Sequence, residues 1–142
     1  MITARVLHPG TAEGPVLALD EPLSFWGAFD PRTGVIIDAH HPQRGRCITG
    51  TILMMRETRG SGTAPGGMAE AIRLGTAPAA VILVAPDINL AIGAMVADTL
   101  YGRSCPVLAV SAVDYAALST EAALTVTVDG LIQRIDLGSH SS

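Results

Sequence analysis

The chain has 142 residues, which is enough for one domain with a buried core. Its hydrophobic fraction of 49% is too high for a disordered protein, and the net charge of −4, with nine scattered arginines and no lysine, offers no basic surface for nucleic acid. The lack of lysine excludes a Schiff-base lysine on this chain, and the charged fraction of only 15% predicts that part of the surface faces a partner.

The first third of the chain predicts short strands joined by turns. Residues 2–7 alternate apolar and polar side chains, which is the pattern of a strand. Three further strands are predicted at residues 16–19, 24–29 and 35–37. Pro31 and Gly34 lie between the last two and predict a tight connection there.

A polar loop follows at residues 40–46. Its adjacent histidines, His40 and His41, would point to opposite faces of an extended segment, which is poor geometry for a metal site. We therefore predict a solvated loop, with an anion contact at a partner interface as the alternative. The two cysteines, Cys47 and Cys105, precede apolar runs and form no CxxC motif, so we expect buried free thiols and no metal site on this chain.

The most informative stretch is a glycine-rich loop between a predicted buried strand, residues 48–55, and a predicted helix, residues 64–74. The helix shows apolar spacing at Met68, Ala71 and Ile72, and Thr63 is its candidate N-cap. Backbone N–H groups in such a loop, together with a helix N-terminus, favour an anion. Ser61 adds a hydroxyl and Arg59 a positive charge. The alternative is a flexible helix start that binds no ligand.

The second half of the chain predicts strand–helix–strand followed by a hairpin. A strand is expected at 80–84, then a helix that Asp87 caps and Gly102 ends, and then a strand at 107–110. A helical turn at 114–118 precedes a hairpin of residues 123–128 and 131–137 across Asp129-Gly130, and residues 138–142 form a polar tail. The apolar face assigned to the core comprises Ile88, Ala91, Ile92, Met95, Val96, Thr99 and Leu100. Together, these elements predict one α/β domain with a mixed sheet over residues 1–142.

Several segments resemble the small subunit, or swivel domain, of the aconitase X family. The Arg59-Gly60-Ser61 triplet and the run at 69–80 carry this resemblance, and three shorter segments, 20–27, 93–97 and 100–103, support it. The resemblance implies the swivelling β/β/α fold, in which two main helices lie on a small barrel-like core of mixed strands.

The resemblance also implies a function. Aconitase X enzymes are hydro-lyases that dehydrate cis-3-hydroxy-L-proline or 5-phosphomevalonate. Their large subunit binds iron or an iron–sulfur centre, and their small subunit supplies a serine as proton acceptor. That serine corresponds here to Ser61, with Arg59, Gly60, Gly62 and Thr63 as substrate-binding residues. The resemblance thus implies a heteromer with a large subunit, an active site between the two chains, and no cofactor on this one.

Three expectations complete the interpretation. Residues 62–65 depart from the family's usual run, which leaves the substrate open. We favour cis-3-hydroxy-L-proline, with phosphomevalonate as the first alternative and a non-catalytic anion-binding or assembly module as the second. Because the chain opens with no signal peptide and has no stretch long enough to span a membrane, we expect a cytoplasmic protein with no membrane contact.

Overall fold

The computed structural model describes residues 1–23, 28–58 and 64–135. Its helices are α1 (Ala64–Leu74), α2 (Ile88–Tyr101) and α3 (Ala112–Leu118). Its strands are β1 (Ile2–Thr3), β2 (Arg5–His8), β3 (Ala12–Ala18), β4 (Phe29–Asp30), β5 (Val35–Ile36), β6 (Ile52–Met54), β7 (Ala80–Leu83), β8 (Val107–Ala109), β9 (Ala123–Val126) and β10 (Leu131–Arg134).

Eight of the strands form one mixed sheet that curls toward a barrel. Their spatial order is β1-β10-β9-β3-β6-β7-β8-β2, so the two ends of the sheet are consecutive in sequence. Strands β3, β6, β7 and β8 run parallel, whereas β1, β2, β9 and β10 each pair antiparallel with their neighbours. This α/β architecture confirms the predicted fold class, and α3 is a third helix where a helical turn had been predicted.

The prediction of one continuous strand at residues 2–7 is wrong in one respect, because this segment forms two strands separated by Ala4. β1 pairs with β10 and β2 with β8, so the segment leaves one end of the sheet and joins the other. The N–H of Ala4 donates to the carbonyl of Gly130 at 2.8 Å, which holds the junction against the β9–β10 turn. An alternating sequence pattern cannot reveal that a strand changes partners midway.

Alternate residues of the parallel strands pack into two separate cores. Leu53 and Val81 pack in an outer core with α1, α2 and the small β4–β5 sheet. Ile52 and Ile82 pack in an inner core with α3 and the antiparallel strands. Strands buried on both faces have no polar side, and this explains why the end of the predicted strand at 48–55 is apolar without interruption from Ile52 to Met55. Only Ile52–Met54 of that run is a strand, and the residues before it form a turn.

The short elements around α1 follow the sequence expectation closely. Met68, Ala71 and Ile72 are buried in the outer core, as their spacing predicted. The hairpin across Asp129-Gly130 is confirmed within the described residues, and positions 136–142, including the predicted polar tail, lie outside them. The predicted strand at 24–29 is described only at its end, where Phe29 begins β4.

The orientation of α2 differs from the prediction. Asp87 caps the helix and Gly102 ends it in a left-handed conformation, both as expected. Its core-facing residues, however, are Leu90 and small side chains such as Ala94 and Ala97, whereas the large members of the predicted core face are exposed. Because α2 is apolar almost all round, its periodicity did not determine which face is buried. Small residues let the helix axis approach α1 and the sheet closely.

Two predictions about single side chains are also wrong. Cys47 is exposed, whereas Cys105 is buried as expected, and burial raises the pKa of its thiol to about 12. His41 is buried inside the predicted solvated loop. Its Nε2 lies 3.0 Å from the carbonyl of Glu21, and its Nδ1 accepts from the N–H of Gln43 at 3.0 Å. Nε2 therefore carries the proton, and the imidazole fixes the loop against the preceding turn.

The turn at Gly130 provides a test of sheet closure. Gly130 has a φ of 84°, and a Cβ added there would lie 2.7 Å from Val6 Cγ2 and 2.9 Å from the carbonyl oxygen of Ala4. Gly130→Ala should cost about 1–2 kcal/mol for the left-handed conformation and about 1–3 kcal/mol more for the contacts. The matched control is Gly50→Ala, since Gly50 has a φ of 71° and open space around its Cβ position. Urea unfolding should show the larger loss for Gly130→Ala, and equal losses would contradict the proposed role of the junction.

Candidate functional site

The candidate site lies where the parallel strands β6 and β7 end. In parallel strands, the carboxyl ends meet at one edge of the sheet, and the connections to α1 and α2 both leave from this edge. The carbonyl of Arg56, just after β6, accepts from the N–H groups of Val84 and Ala85 at 2.9 and 2.8 Å. These two bonds hold the connections side by side.

A single carboxylate links the two connections further. Asp87 Oδ1 accepts from the backbone N–H groups of Asn89 and Leu90, at 2.9 and 3.2 Å, and so caps α2. Its Oδ2 accepts a hydrogen bond from the hydroxyl of Thr58. Thr58 directly precedes Arg59 in the sequence, so Asp87 fixes the residue from which the glycine-rich loop departs.

The same edge carries a stacked arginine. The guanidinium of Arg56 lies 4.9 Å from the centroid of the Tyr115 ring, within the range of a cation–π contact. Tyr115 belongs to α3 and is buried in the inner core. Burial raises the pKa of its phenol. The contact ties α3 to the residues that follow β6.

The first turn of α1 is electrostatically prepared for an anion. Helix N-termini carry partial positive charge, and α1 has no acidic residue in its first turn that would neutralise it. At the other end, Arg73 in the last turn pairs with Glu70, and Arg103 Nη1 donates to the carbonyl of Arg73 at 3.3 Å. Both arginines complement the negative end of the helix.

The five predicted site residues, Arg59, Gly60, Ser61, Gly62 and Thr63, lie outside the described residues, as does the predicted cap of α1 by Thr63. The structure describes the two ends between which they lie in sequence, Thr58 and α1. Sequence reasoning found Asp87 as a helix cap but missed its bond to Thr58. No pattern signals a partner 29 residues away.

In residues 1–23, 28–58 and 64–135, no three His, Cys, Asp or Glu side chains converge in a way that could hold a metal ion. Cys47 is exposed, and the buried Cys105 faces the carbonyl of Pro78 at 3.3 Å. The described side chains therefore do not fit an iron centre on their own. Within the same ranges, no helix is long and apolar enough to cross a membrane.

Comparisons with known proteins agree on one family. The sequence model of the aconitase X swivel domain matches residues 1–135. A cis-3-hydroxy-L-proline dehydratase of Pseudomonas aeruginosa is 46% identical over 107 residues, which are 75% of this chain and 18% of that protein. A relative of the same name from Hypocrea jecorina is 37% identical over 91% of this chain and 22% of its own length. The chain thus spans about a fifth of the length of these two relatives.

Shorter relatives and a solved structure extend the comparison. A phosphomevalonate dehydratase small subunit of Methanothermobacter thermautotrophicus is 40% identical over 96 residues, which are 68% of this chain and 73% of that one. The crystal structure of Thermococcus kodakaraensis aconitase X, in its holo-form, contains a chain with a TM-score of 0.79 and 27% identity. The alignment covers 94% of this chain and 97% of that chain, so the likeness includes the whole architecture.

The Thr58–Asp87 bond is testable by a double-mutant cycle. Asp87→Ala should cost about 1 kcal/mol as a lost helix cap and, like Thr58→Val, should also lose the bond from the Thr58 hydroxyl to a charged group, which is worth about 1.5–3 kcal/mol. Because both changes break the same bond, the double variant should be less destabilised than the sum of the single variants. The measurement is the free energy of unfolding in urea.

The control cycle combines Thr58→Val with Ser111→Ala. Ser111 caps α3 by accepting from the N–H of Asp114 at 3.1 Å and makes no hydrogen bond to Thr58. The losses in this pair should add. Additive losses in the Thr58–Asp87 pair as well would show that the carboxylate does not hold the start of the loop.

Proposed function

Because this chain belongs to the aconitase X swivel-domain family, we propose that it is the small subunit of a hydro-lyase that dehydrates a small hydroxy acid. The observation that carries the proposal is the 46% identity to a protein named cis-3-hydroxy-L-proline dehydratase over three quarters of this chain. The other two relatives described above are also named dehydratases. Loss of water from a β-hydroxy acid needs a base for the proton on one carbon and assistance for the hydroxyl leaving the next.

We propose that Ser61 is that base. Its oxygen, as the alkoxide, takes the proton from the substrate carbon, the C–H electron pair becomes the second bond of the alkene, and the C–O bond to the adjacent hydroxyl breaks. The departing hydroxide takes a proton back from the Ser61 hydroxyl, so that water is the only other product and the alkoxide is restored. The reaction needs no external oxidant or reductant. A serine oxygen serves as a base only where its negative charge is stabilised, and the first turn of α1, without an acidic residue, supports such stabilisation.

The neighbouring loop residues complete this proposal. Arg59 would bind the substrate carboxylate through its planar guanidinium or stabilise the charge on Ser61. The backbone N–H groups of Gly60 and Gly62, which no side chain shields, would contact the substrate, and Thr63 would contribute a hydroxyl. The hydrogen bond from Thr58 to Asp87 supports this arrangement because it fixes the preceding residue to the rigid start of α2.

Among the described residues, no group of three His, Cys, Asp or Glu side chains could hold a metal ion that assists the leaving hydroxyl. We propose that the active site is shared with a large subunit and that iron or an iron–sulfur centre belongs to that subunit. The name "small subunit" on the phosphomevalonate dehydratase relative supports a two-chain enzyme, and the Pseudomonas protein, about four times as long as this chain, has room for the part that a large subunit would supply. No step proposed for Ser61 depends on which centre is present.

Ser61→Ala tests the assignment of the base. In the complex with its large subunit, this variant should turn over about 10²–10⁴-fold more slowly, because general-base catalysis contributes a factor of that size. Substrate binding should persist. In parallel, Thr63→Val tests whether the nearest other hydroxyl can act as the base in place of Ser61. The control is Ser104→Ala, which removes the hydroxyl of an exposed serine between α2 and β8. Arg59→Lys, which keeps the charge but not the planar fork, should also lose substantial activity. Near-normal turnover of a correctly assembled Ser61→Ala complex would mean that the base lies on the partner.

The substrate is tested by a direct comparison. We propose cis-3-hydroxy-L-proline, supported by 46% identity to a relative named for that substrate against 31–40% identity to relatives named for phosphomevalonate. A phosphate would also suit the N-terminus of α1, so the electrostatics alone do not separate the two substrates. The assembled wild-type complex should dehydrate cis-3-hydroxy-L-proline and not phosphomevalonate. Turnover of phosphomevalonate alone would reverse the choice, and turnover of neither, with an intact complex, would favour a non-catalytic assembly module.

A further inference from the structure

The strongest unexplained surface of this chain is the outward side of α2. Besides Tyr101 at its C-terminal end, five large apolar side chains on this helix are exposed, and four of them follow the i, i+4, i+7, i+8 spacing of one helix face. We call this surface the α2 outer face, and its residues are Ile88, Ile92, Met95, Val96 and Leu100. Ile88, Met95 and Leu100 are 58%, 51% and 65% exposed, so a large part of each apolar side chain is in contact with solvent.

The composition of α2 is that of a helix covered on all sides. Asp98 is its only charged residue, and the carboxylate of Asp98 lies 3.2 Å from His8 Nε2 on β2. A helix that is apolar all round is normally buried, and contiguous apolar patches on isolated proteins mark interaction sites. The face also contains a recess of about 120 Å³, whose lining residues are Leu7, His8, Ile88, Ala91, Ile92 and Met95. A recess of this kind receives an apolar side chain from a partner.

The α2 outer face adjoins the candidate site. Its first residue, Ile88, directly follows Asp87, which binds Thr58 at the start of the loop that contains Ser61. A partner seated on this face therefore lies next to the loop that is proposed to take the substrate. A second copy of this chain in that position would bring another Ser61 loop rather than the groups that assist the leaving hydroxyl.

We propose that the α2 outer face is the docking surface for the large subunit, with the recess beside Met95 receiving an apolar side chain of that subunit. This inference rests on the proposed function, because the large subunit is itself part of that proposal. It assigns a role to the exposed residues that the sequence pattern had placed in the core. A few well-packed, desolvated contacts near the centre of an interface carry most of its binding energy.

The experiment measures binding of the purified chain to the aconitase X large subunit encoded in the same genome. Met95→Glu and Leu100→Glu each place a charge on the face, and each should weaken binding by about 30-fold or more, as loss of a hot-spot contact does. The matched control is Val113→Glu, since Val113 is 79% exposed on α3, which packs against the inner core on the other side of the sheet. This variant should bind like the wild type. Circular dichroism melting of all three variants checks that the fold is kept.

The outcomes separate this inference from the proposed function. Undiminished binding of both α2 variants, or no binding by the wild type, overturns the docking surface. A wild-type chain that sediments as a dimer, and becomes monomeric with Met95→Glu while large-subunit binding is unchanged, assigns the face to a second copy instead. If the α2 variants lose binding but the wild-type complex dehydrates neither substrate, the docking surface stands and the proposed function fails.

Discussion

The structure depends on the way in which residues 2–8 connect the two ends of one sheet. The short strands β1 and β2 belong to opposite ends of the strand order, and the bond from Ala4 N–H to the Gly130 carbonyl lies at the point where the segment passes from one to the other. This closure creates an interior that the antiparallel strands and α3 fill, while the outer side of the parallel strands remains for α1 and α2. Every other packing arrangement follows from that division into two cores.

The candidate site lies at the edge of the sheet where β6 and β7 end, between the two cores. The connections that follow β6 and β7 are held together there by backbone hydrogen bonds to the carbonyl of Arg56. The carboxylate of Asp87 also joins them, because it accepts hydrogen bonds both from the backbone of α2 and from the hydroxyl of Thr58. The arrangement provides rigid elements on both sides of the loop that carries the proposed base. Catalytic groups need such support, because misplacement by about 1 Å costs much of their effect.

Local features of the sequence were sufficient to predict much of this architecture. The C-terminal end of α1, both ends of α2, the turn at Gly130 and the cap at Asp87 follow from short-range chemistry, and each is found in the structure. The α2 outer face was assigned wrongly because its helix has no polar side to orient it, and the choice depended on which residues were small enough to approach α1. The Thr58–Asp87 bond and the burial of His41 depend on contacts across 29 and 20 residues, which no local pattern encodes.

The pairing of β1 with β10 has a consequence for how the chain folds. Ile2 lies opposite Ile132, so the sheet cannot close until almost all of the described chain has been synthesised. During translation the parallel strands, α1 and α2 emerge before β9 and β10, so the inner core is still open to solvent. Contacts of such large sequence separation slow folding and leave apolar surface exposed in the meantime. The nascent chain is therefore most vulnerable to aggregation just before the last hairpin is complete, and chaperones would act at that stage.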